Sequence, residues 1–200
     1  MVKRLAERKL KTKFGEFLEV LYYDGKKESI ALLMGDVENK ENVLCRIHSH
    51  CIGAHVFNSI ECDCREQMEL SQFWIEQNGA GVIIWLDQEG KGNGHLALIK
   101  STEYKLKGVP QADAYVAAGY EKDARSYREA AGILKDLKVK SITLLANDPG
   151  KIDNLQKESI EVSGIKELGI ENEELGKIFE EKVRGNYLMT DLWRNYVKNY

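Results

Sequence analysis

Alternating hydrophobic and polar positions dominate the first part of the chain. The segment LKTKFGEFLEVLYYDG, residues 10–25, alternates and carries aromatic side chains, which is typical of a strand with one buried face. Asp24-Gly25 closes this segment with a hairpin signal, and SIALLMGDV, residues 29–37, predicts a second strand. A third strand is predicted from Val43 to His48. Residues 5–34 are therefore predicted to be rich in β-structure.

Helical periodicity begins at CREQMELSQFWIEQNG, residues 64–79. Its apolar positions form one stripe, and Asn78-Gly79 is a helix stop. The stripe consists of Met68, Leu70, Phe73, Trp74 and Ile75. A continuous apolar strand is predicted next, from Gly81 to Leu86, and it breaks into a polar glycine-rich loop. A buried strand followed by such a loop is typical of an α/β sheet.

The second half alternates helical and strand patterns. Residues 95–107 and 113–119 predict helices separated by Gly108-Val109-Pro110. A longer helix is predicted over 123–139, opened by Asp123-x-Arg125, followed by a strand over 141–148 and a short helix and strand over 151–162. Residues 164–200 predict one or two amphipathic helices that pack on the body or on a partner. The pattern indicates an α/β (α+β) fold, with one domain over 1–163, a mixed β-sheet flanked by helices, and a C-terminal tail.

Composition and charge exclude several classes of protein. The chain is 43% apolar and 30% charged, with a net charge of −3 and a pI near 5.9. It has no basic field for nucleic acid, no apolar run of about 20 residues for a membrane span, and no secretory signal at its start. We therefore expect no nucleic-acid or membrane partner. Four cysteines without an export signal favour the cytoplasm and metal or thiol chemistry.

Three of those cysteines form the pattern C-x10-C-x-C, at Cys51, Cys62 and Cys64. Three thiolates can supply three ligands of a tetrahedral Zn²⁺ and leave the fourth position to water or substrate, as in catalytic zinc sites. The alternative is that they are ordinary buried thiols, which is the interpretation favoured for Cys45, inside a predicted strand. Any of three nearby histidines could close the site or act in acid–base catalysis. They are His48, His50 and His55.

Three further segments carry candidate chemistry. The loop from Asp87 to Gly94 lets backbone N–H groups approach phosphate, and Glu89 could accept hydrogen bonds from the amidine edge of guanine or be a solvated carboxylate. It does not match the P-loop pattern. Arg125 could bind an α-phosphate or be a surface charge, and Asp123 could be a helix cap. Lys151 follows a predicted strand end, where α/β sheets commonly bind ligands.

These motifs resemble the GTP cyclohydrolase II enzymes of riboflavin biosynthesis. The resemblance extends from Leu5 to Ser163 and rests on four motifs. They are R-x-H-S-x-C-x10-C-D-C-x-x-Q (46–67), Q-E-G-x-x-x-G (88–94), D-x-R (123–125) and L-L-x-N-x-P-x-K (144–151). It implies one Zn²⁺ per chain on Cys51, Cys62 and Cys64, Mg²⁺ with a triphosphate, and a homodimer.

The resemblance also implies roles for the remaining motif residues. Asp123 would be the proton acceptor and Arg125 the nucleophile at the α-phosphate, although a protonated guanidinium is a poor nucleophile and clamping by Arg125 is an equal alternative. Thr102, or Tyr104 after a two-residue shift, would stand at the position of the tyrosine that completes ring opening. GTP would be bound by a larger set of residues, Arg46, His48, Ser49, His50, Gln67, Glu89, Gly90, Lys91, Gln111, Ala146 and Lys151.

Four of these positions depart from the family pattern. Lys91 replaces an arginine, Thr102 a tyrosine, Ala146 a threonine, and His50 an acidic residue. The implied reaction is zinc-dependent opening of the imidazole ring of GTP with release of formate and pyrophosphate, giving a diaminopyrimidinone ribosyl phosphate. Two alternatives stay open. One is an enzyme that stops at the formamidopyrimidine or opens another nucleotide, and the other is a non-catalytic zinc-containing nucleotide-binding protein.

Overall fold

A seven-stranded sheet forms the centre of the structure, a computed structural model. The structure describes residues 2–146 and 151–168, with Lys151 as backbone only. The strands are β1 (Lys3–Thr12), β2 (Gly15–Tyr23), β3 (Glu28–Met34), β4 (Val43–Ser49), β5 (Gly81–Leu86), β6 (Ile142–Leu145) and β7 (Val162–Lys166). Their order in the sheet is β1-β2-β3-β5-β4-β6-β7. Strands β1 to β3 and β5 pair antiparallel, whereas β5, β4, β6 and β7 pair parallel, so the sheet is mixed as predicted.

Two hairpins build the antiparallel half. The predicted turn at Asp24-Gly25 is confirmed: the Asp24 carboxylate accepts the backbone N–H groups of Lys26 and Lys27, each at 2.7 Å. A second turn divides the segment that alternation predicts as one strand, because β1 ends at Thr12 and β2 begins at Gly15. Gly15 has φ +121°, and the Thr12 hydroxyl donates to its carbonyl at 3.1 Å. The two turn residues, polar Lys13 and apolar Phe14, continue the alternation, which hides the turn from the pattern.

Six helices are described, and most agree with the hydrophobic periodicity. They are α1 (Ile52–His55), α2 (Cys64–Asn78), α3 (His95–Leu106), α4 (Gln111–Ala117), α5 (Arg128–Asp136) and α6 (Lys151–Lys157). Helix α2 ends as predicted, with Gly79 in the left-handed conformation at φ 73°. The helix predicted to start at Asp123 instead begins at Arg128. The Asp123 carboxylate accepts the backbone N–H of Arg125 at 3.1 Å, a local bond that competes with helix formation.

Helices cover both faces of the sheet. On one face, α5 contributes Ala130, Ile133 and Leu134 to a large cluster with β2 to β6. On the other, α2 packs Leu70, Phe73 and Ile75 against Phe17 of β2 and Ile83 of β5. Strand β5 is consequently buried on both sides, and the buried thiol of Cys45 on β4 lies in the first cluster as predicted.

The C-terminal segment is described only in part. Residues 164–166 belong to β7, and the indole N–H of Trp74 donates to the Leu168 carbonyl at 3.3 Å. Residues 169–200 lie outside the described residues, so the packing predicted for the tail and the division at 163/164 stay predictions. Within the described ranges, no helix is long and apolar enough to cross a membrane.

We expect the buried central strand to dominate stability. Replacing Ile84, which is 0% exposed, with alanine leaves a cavity in the cluster between the sheet and α5 and should lower the free energy of unfolding by about 2–5 kcal/mol. Ile60→Ala is the matched control, because Ile60 is 99% exposed and its loss should change the free energy little. Urea unfolding followed by circular dichroism measures both, and equal losses would contradict the described core.

Candidate active site

The candidate site lies where the parallel strands β4 and β5 end. Their carboxyl ends meet at one edge of the sheet, and the backbone N–H of His50 donates to the Leu86 carbonyl at 2.8 Å. The chain after β4 contains the cysteine stretch, and the chain after β5 contains the loop from Asp87 to Gly94. Ligands commonly bind at such an edge of an α/β sheet. The strand order thus joins two motifs that are far apart in the sequence.

The three predicted metal ligands lie together. The sulfur atoms of Cys51, Cys62 and Cys64 are all within 4.8 Å of one another, and those of Cys51 and Cys62 are 3.7 Å apart. Two sulfur atoms on one tetrahedral Zn²⁺, each at about 2.3 Å, are roughly 3.8 Å apart. The donor set therefore fits a tetrahedral metal ion. In the described part of the chain no histidine joins this group; the His55 Nε2 atom instead lies 3.3 Å from the Cys64 carbonyl.

Electrostatics also favours a cation at the cysteine cluster. Burial raises the pKa of the Cys64 thiol, and the charges of Cys51 and Cys62 raise it further. Burial also raises the pKa of Cys51, and Cys62 adds to that change, whereas hydrogen bonds with the Ala54 backbone and Cys64 oppose it. Three thiolates so close together repel one another, and a shared metal ion would relieve that repulsion.

Arg46 lies beneath the site in a network of hydrogen bonds. Its side chain is 3% exposed, and it donates to the Leu145 carbonyl at 3.0 Å and to the Gln67 side chain. Gln67 in turn donates to Asp63 at 2.8 Å. Burial lowers the pKa of Arg46 to about 10, and Cys64 and Asp63 oppose that change, so the guanidinium is charged at neutral pH. The network connects β4 to β6 and to the first turn of α2.

The loop after β5 contacts both the cysteine stretch and the D-x-R segment. The Glu89 carboxylate accepts the backbone N–H of Ile52, the residue after Cys51, at 2.8 Å. On the other side, the Ala124 N–H donates to the Lys91 carbonyl at 2.9 Å. Gly92, at φ 83°, approaches this segment so closely that a Cβ atom would lie 2.7 Å from the Ala124 carbonyl oxygen. Glycine is therefore required where the two loops meet.

Asp123 and Arg125 form a bidentate ion pair. The Arg125 Nε and Nη2 atoms lie 2.9 and 2.5 Å from the two Asp123 carboxylate oxygens. Burial alone would raise the pKa of Asp123, but the hydrogen bonds and charge of Arg125 outweigh it and hold the pKa below its ordinary value. Both groups are thus charged at neutral pH.

A cleft of about 460 Å³ opens between these loops. Two predicted residues line it, His50 and Glu89. The predicted loop also contributes Asp87, Gly92, Asn93 and Gly94, whereas sequence reasoning missed Lys27, Ile52 and His95. The Lys27 ammonium donates to the Asp87 carbonyl at 2.8 Å, a contact between distant segments that no local pattern indicates. The sequence could have predicted that His95 belongs to the site, because His95 directly follows the loop from Asp87 to Gly94.

Several predicted residues lie away from the cleft lining. The Thr102 hydroxyl donates to the Leu98 carbonyl of its own helix at 3.1 Å, and the Tyr104 ring lies 5.6 Å from the Lys107 ammonium. At about 1.5 Å per residue, Tyr104 is roughly 14 Å along α3 from His95. Gln111 is exposed at the start of α4, and Ala146 is buried at the end of β6. The Lys151 side chain lies outside the described residues.

Comparison with known protein families gives a match over nearly all of the described residues. A family model described as GTP cyclohydrolase II matches residues 3–167. The chain belongs to the GTP cyclohydrolase II family. This confirms the resemblance inferred from the motifs.

Curated relatives of the GTP cyclohydrolase II chain fall into two length classes. The protein named GTP cyclohydrolase-2 from Actinobacillus succinogenes is 37% identical over 163 residues, which are 80% of this chain and 75% of the relative. The riboflavin biosynthesis protein RibBA from Bacillus mycoides is 39% identical over 165 residues, 82% of this chain but 42% of the relative. The chain thus spans about two fifths of the length of the RibBA relatives.

Among the solved structures that match this GTP cyclohydrolase II chain is RibBX, a two-domain 3,4-dihydroxy-2-butanone 4-phosphate synthase from A. baumannii, with a TM-score of 0.48 and 20% identity over 82% of this chain and 40% of that one. The likeness is too distant to bear on the site.

The residues that depart from the GTP cyclohydrolase II pattern have defined surroundings. The His50 ring lies 5.1 Å from the Trp85 ring, and its Nδ1 atom lies 3.5 Å from the Asp87 carboxylate. Lys91 has φ 54°, a left-handed conformation within the loop. The Thr102 hydroxyl donates to a backbone carbonyl of its own helix, α3. Two of the predicted departures therefore lie in the cleft wall, at His50, and in the loop, at Lys91, while the three cysteines lie together.

We expect the Arg46 network to require a guanidinium. A lysine at position 46 cannot reach both Leu145 and Gln67 with a planar fork, so Arg46→Lys should lower the free energy of unfolding by about 1–3 kcal/mol. Arg128→Lys is the control, because the Arg128 side chain is 85% exposed. Urea unfolding of both variants measures the difference, and an undisturbed Arg46→Lys protein would show that the network contributes little.

Proposed function

We propose that this protein opens the imidazole ring of GTP by zinc-dependent hydrolysis and releases formate and pyrophosphate, yielding a diaminopyrimidinone ribosyl phosphate for riboflavin biosynthesis. The observation that carries the proposal is the cluster of three thiols beside Glu89 at the edge of a cleft, in a chain of the GTP cyclohydrolase II family. The protein is expected to act in the cytoplasm, as a homodimer, with Mg²⁺ on the triphosphate.

Cys51, Cys62 and Cys64 would hold the Zn²⁺. Bound there, the ion would lower the pKa of a water molecule to near neutral and so supply the nucleophile for carbon C8 of the purine. The Glu89 contact to Ile52 supports this arrangement, because it places a carboxylate directly beside the first ligand. The same carboxylate can accept two donors from the amidine edge of guanine.

Asp123 and Arg125 would act at the phosphates. Asp123 is ionised at neutral pH and can accept a proton, as the family role requires. Arg125 donates two hydrogen bonds to the Asp123 carboxylate, and its guanidinium stays protonated, because arginine is not deprotonated in proteins. This favours Arg125 as a clamp on the α-phosphate, with water as the nucleophile. Lys91 and Lys151 would add charge to the phosphate site.

A second candidate is an enzyme that stops at the formamidopyrimidine. The observation that favours it is the placement of the two residues proposed to complete ring opening, because the Thr102 hydroxyl bonds to Leu98 and Tyr104 lies near the far end of α3. If no other group replaces the missing tyrosine, the formyl group would remain on the product.

The reaction products distinguish these candidate functions directly. We expect purified protein incubated with GTP and Mg²⁺ to release formate and pyrophosphate in equal amounts, as measured by coupled enzymatic assays and mass spectrometry. Loss of the purine absorbance without formate would support the formamidopyrimidine product instead. Binding of GTP in calorimetry with an unchanged purine spectrum over hours would identify a non-catalytic nucleotide-binding protein.

Metal content tests the cysteine cluster independently of turnover. The wild-type protein should contain about one Zn²⁺ per chain, and Cys64→Ser should lose most of it, because a hydroxyl is a weak zinc ligand. Cys45→Ala is the matched control: Cys45 is 0% exposed in the core and should not affect metal content. Plasma mass spectrometry measures the zinc, and full retention in Cys64→Ser would disprove the assignment.

A further inference from the structure

The segment that contains Asp123 and Arg125 has no regular structure of its own. It connects α4, which ends at Ala117, to α5, which begins at Arg128, and residues 123–127 belong to no helix or strand. A backbone without a helical or sheet ladder needs other partners to keep one position. Among the described residues, the loop from Asp87 to Gly94 supplies several of them.

The Asn93 side chain binds the backbone just before the ion pair of Asp123 and Arg125. It donates to the Glu121 carbonyl at 2.9 Å and accepts the Glu121 N–H at 3.2 Å. A side-chain amide carries both a donor and an acceptor, so it can pair with both backbone groups of one residue and fix the chain there. The proposed function assigns Asn93 no role, although Asn93 lines the cleft.

The Gln88 side chain binds the same segment at its other end. It is 6% exposed, and its Nε2 atom donates to the Ser126 carbonyl, one residue after Arg125. Its Oε1 atom is buried and has no hydrogen-bond partner among residues 2–146 and 151–168. A buried acceptor without a partner is unfavourable, and an apolar side chain of the same size would avoid that cost. Fold stability alone therefore does not explain a glutamine at this position.

Between the two amides, the backbones of the loop and the segment are in contact. The Ala124 N–H donates to the Lys91 carbonyl at 2.9 Å, and a Cβ atom on Gly92 would lie 2.7 Å from the Ala124 carbonyl oxygen. The contacts follow the loop in one direction and the segment in the other, so the two chains run antiparallel. The ion pair is thereby held before, between and after its two members.

The same loop is also attached to the cysteine stretch. The Glu89 carboxylate accepts the Ile52 N–H at 2.8 Å, one residue after Cys51. The loop therefore connects the metal ligands on one side with the ion pair on the other. A nucleotide that reaches both groups at once depends on the distance that this loop sets between them.

We propose that Gln88 and Asn93 are positioning residues: their amides fix the segment between α4 and α5 so that its ion pair meets the α-phosphate while the purine lies at the cysteine cluster. The inference rests on the proposed function, because it assigns Asp123 and Arg125 to the phosphates. It adds that the groups for pyrophosphate release are held in place by the loop that contains Glu89.

Gln88→Met removes the amide and keeps the length of the side chain. One hydrogen bond and one unpartnered acceptor are lost together, so the melting temperature should fall by no more than about 4 °C. The kcat of pyrophosphate release from GTP, measured by a coupled assay, should fall about tenfold, because small displacements of reacting groups slow a reaction strongly. Gln77→Met, at an exposed glutamine of α2, is the matched control and should keep the wild-type rate.

Asn93→Ala tests the other end of the segment. It should also lower the kcat of pyrophosphate release about tenfold, because the Glu121 backbone loses both partners. Asn78→Ala is the matched control: it removes one amide bond, to the Ala80 carbonyl at 2.9 Å, at the end of α2, and should keep the wild-type rate.

Hydrogen exchange measures the position of the segment without relying on turnover. In Gln88→Met and in Asn93→Ala, the backbone amides of residues 121–126 should exchange about tenfold faster than in wild type, because the segment opens locally. The amides of β5 should exchange as in wild type. Mass spectrometry of peptides from both regions gives the two rates.

A double variant tests whether Gln88 acts through the ion pair. Arg125→Lys keeps the charge and removes the planar fork. In that background, Gln88→Met should slow pyrophosphate release less than twofold further, since the group that it positions is already altered. A further tenfold loss would mean that the amide acts on the nucleotide itself, and the positioning role would be wrong.

The remaining outcomes separate this inference from the proposed function. Faster exchange of residues 121–126 with an unchanged rate would make the two amides ordinary structural groups and overturn the inference alone. A slower rate without faster exchange would also contradict it, because the segment would still be in place. A wild type that neither binds nor converts GTP would overturn the proposed function, and the catalytic role of Gln88 and Asn93 with it.

Discussion

The parallel pairing of β4 with β5 determines where every part of the candidate site lies. Parallel strands bring their carboxyl ends to the same edge, so the chain leaves β4 and β5 side by side. The hydrogen bond from His50 to Leu86 extends the pairing one step beyond the strands. The cysteine stretch, the loop with Glu89 and the cleft between them follow from this arrangement. A shift of one residue in the register would turn Arg46 and His48 toward the opposite face.

The site combines a rigid floor with short polar connections. The floor is the doubly buried β5 together with Arg46, whose guanidinium is compensated by the Leu145 carbonyl and Gln67. A buried charge is tolerated only when its donors are satisfied, so this network specifies how β4, β6 and α2 pack. Above the floor, single hydrogen bonds hold the loops, as between Glu89 and Ile52. Precision at the edge therefore depends on a small number of polar contacts.

Much of this arrangement could be predicted from the sequence, because its signals are local. The run from Gly81 to Leu86, the helix that begins at Cys64, and the spacing of the three cysteines each carry their own pattern. The start of α5 at Arg128 was missed because the Asp123 side chain replaces the helical hydrogen bonds of its neighbours. The contribution of Lys27 to the cleft and the bonds of Asn93 to the Glu121 backbone depend on contacts between segments far apart in the chain. No periodicity contains that information.

Gly92 has a consequence for how such a site can diverge. Its backbone lies against Ala124 with no room for a side chain, so the glycine loop and the D-x-R segment behave as one body. Reshaping the loop would displace the Asp123–Arg125 ion pair as well. New substrate preferences are therefore expected to arise through paired changes in both segments, or through residues such as His50 that line the cleft from a third direction. Because the two loops are in direct contact, they are expected to be inherited and to change together.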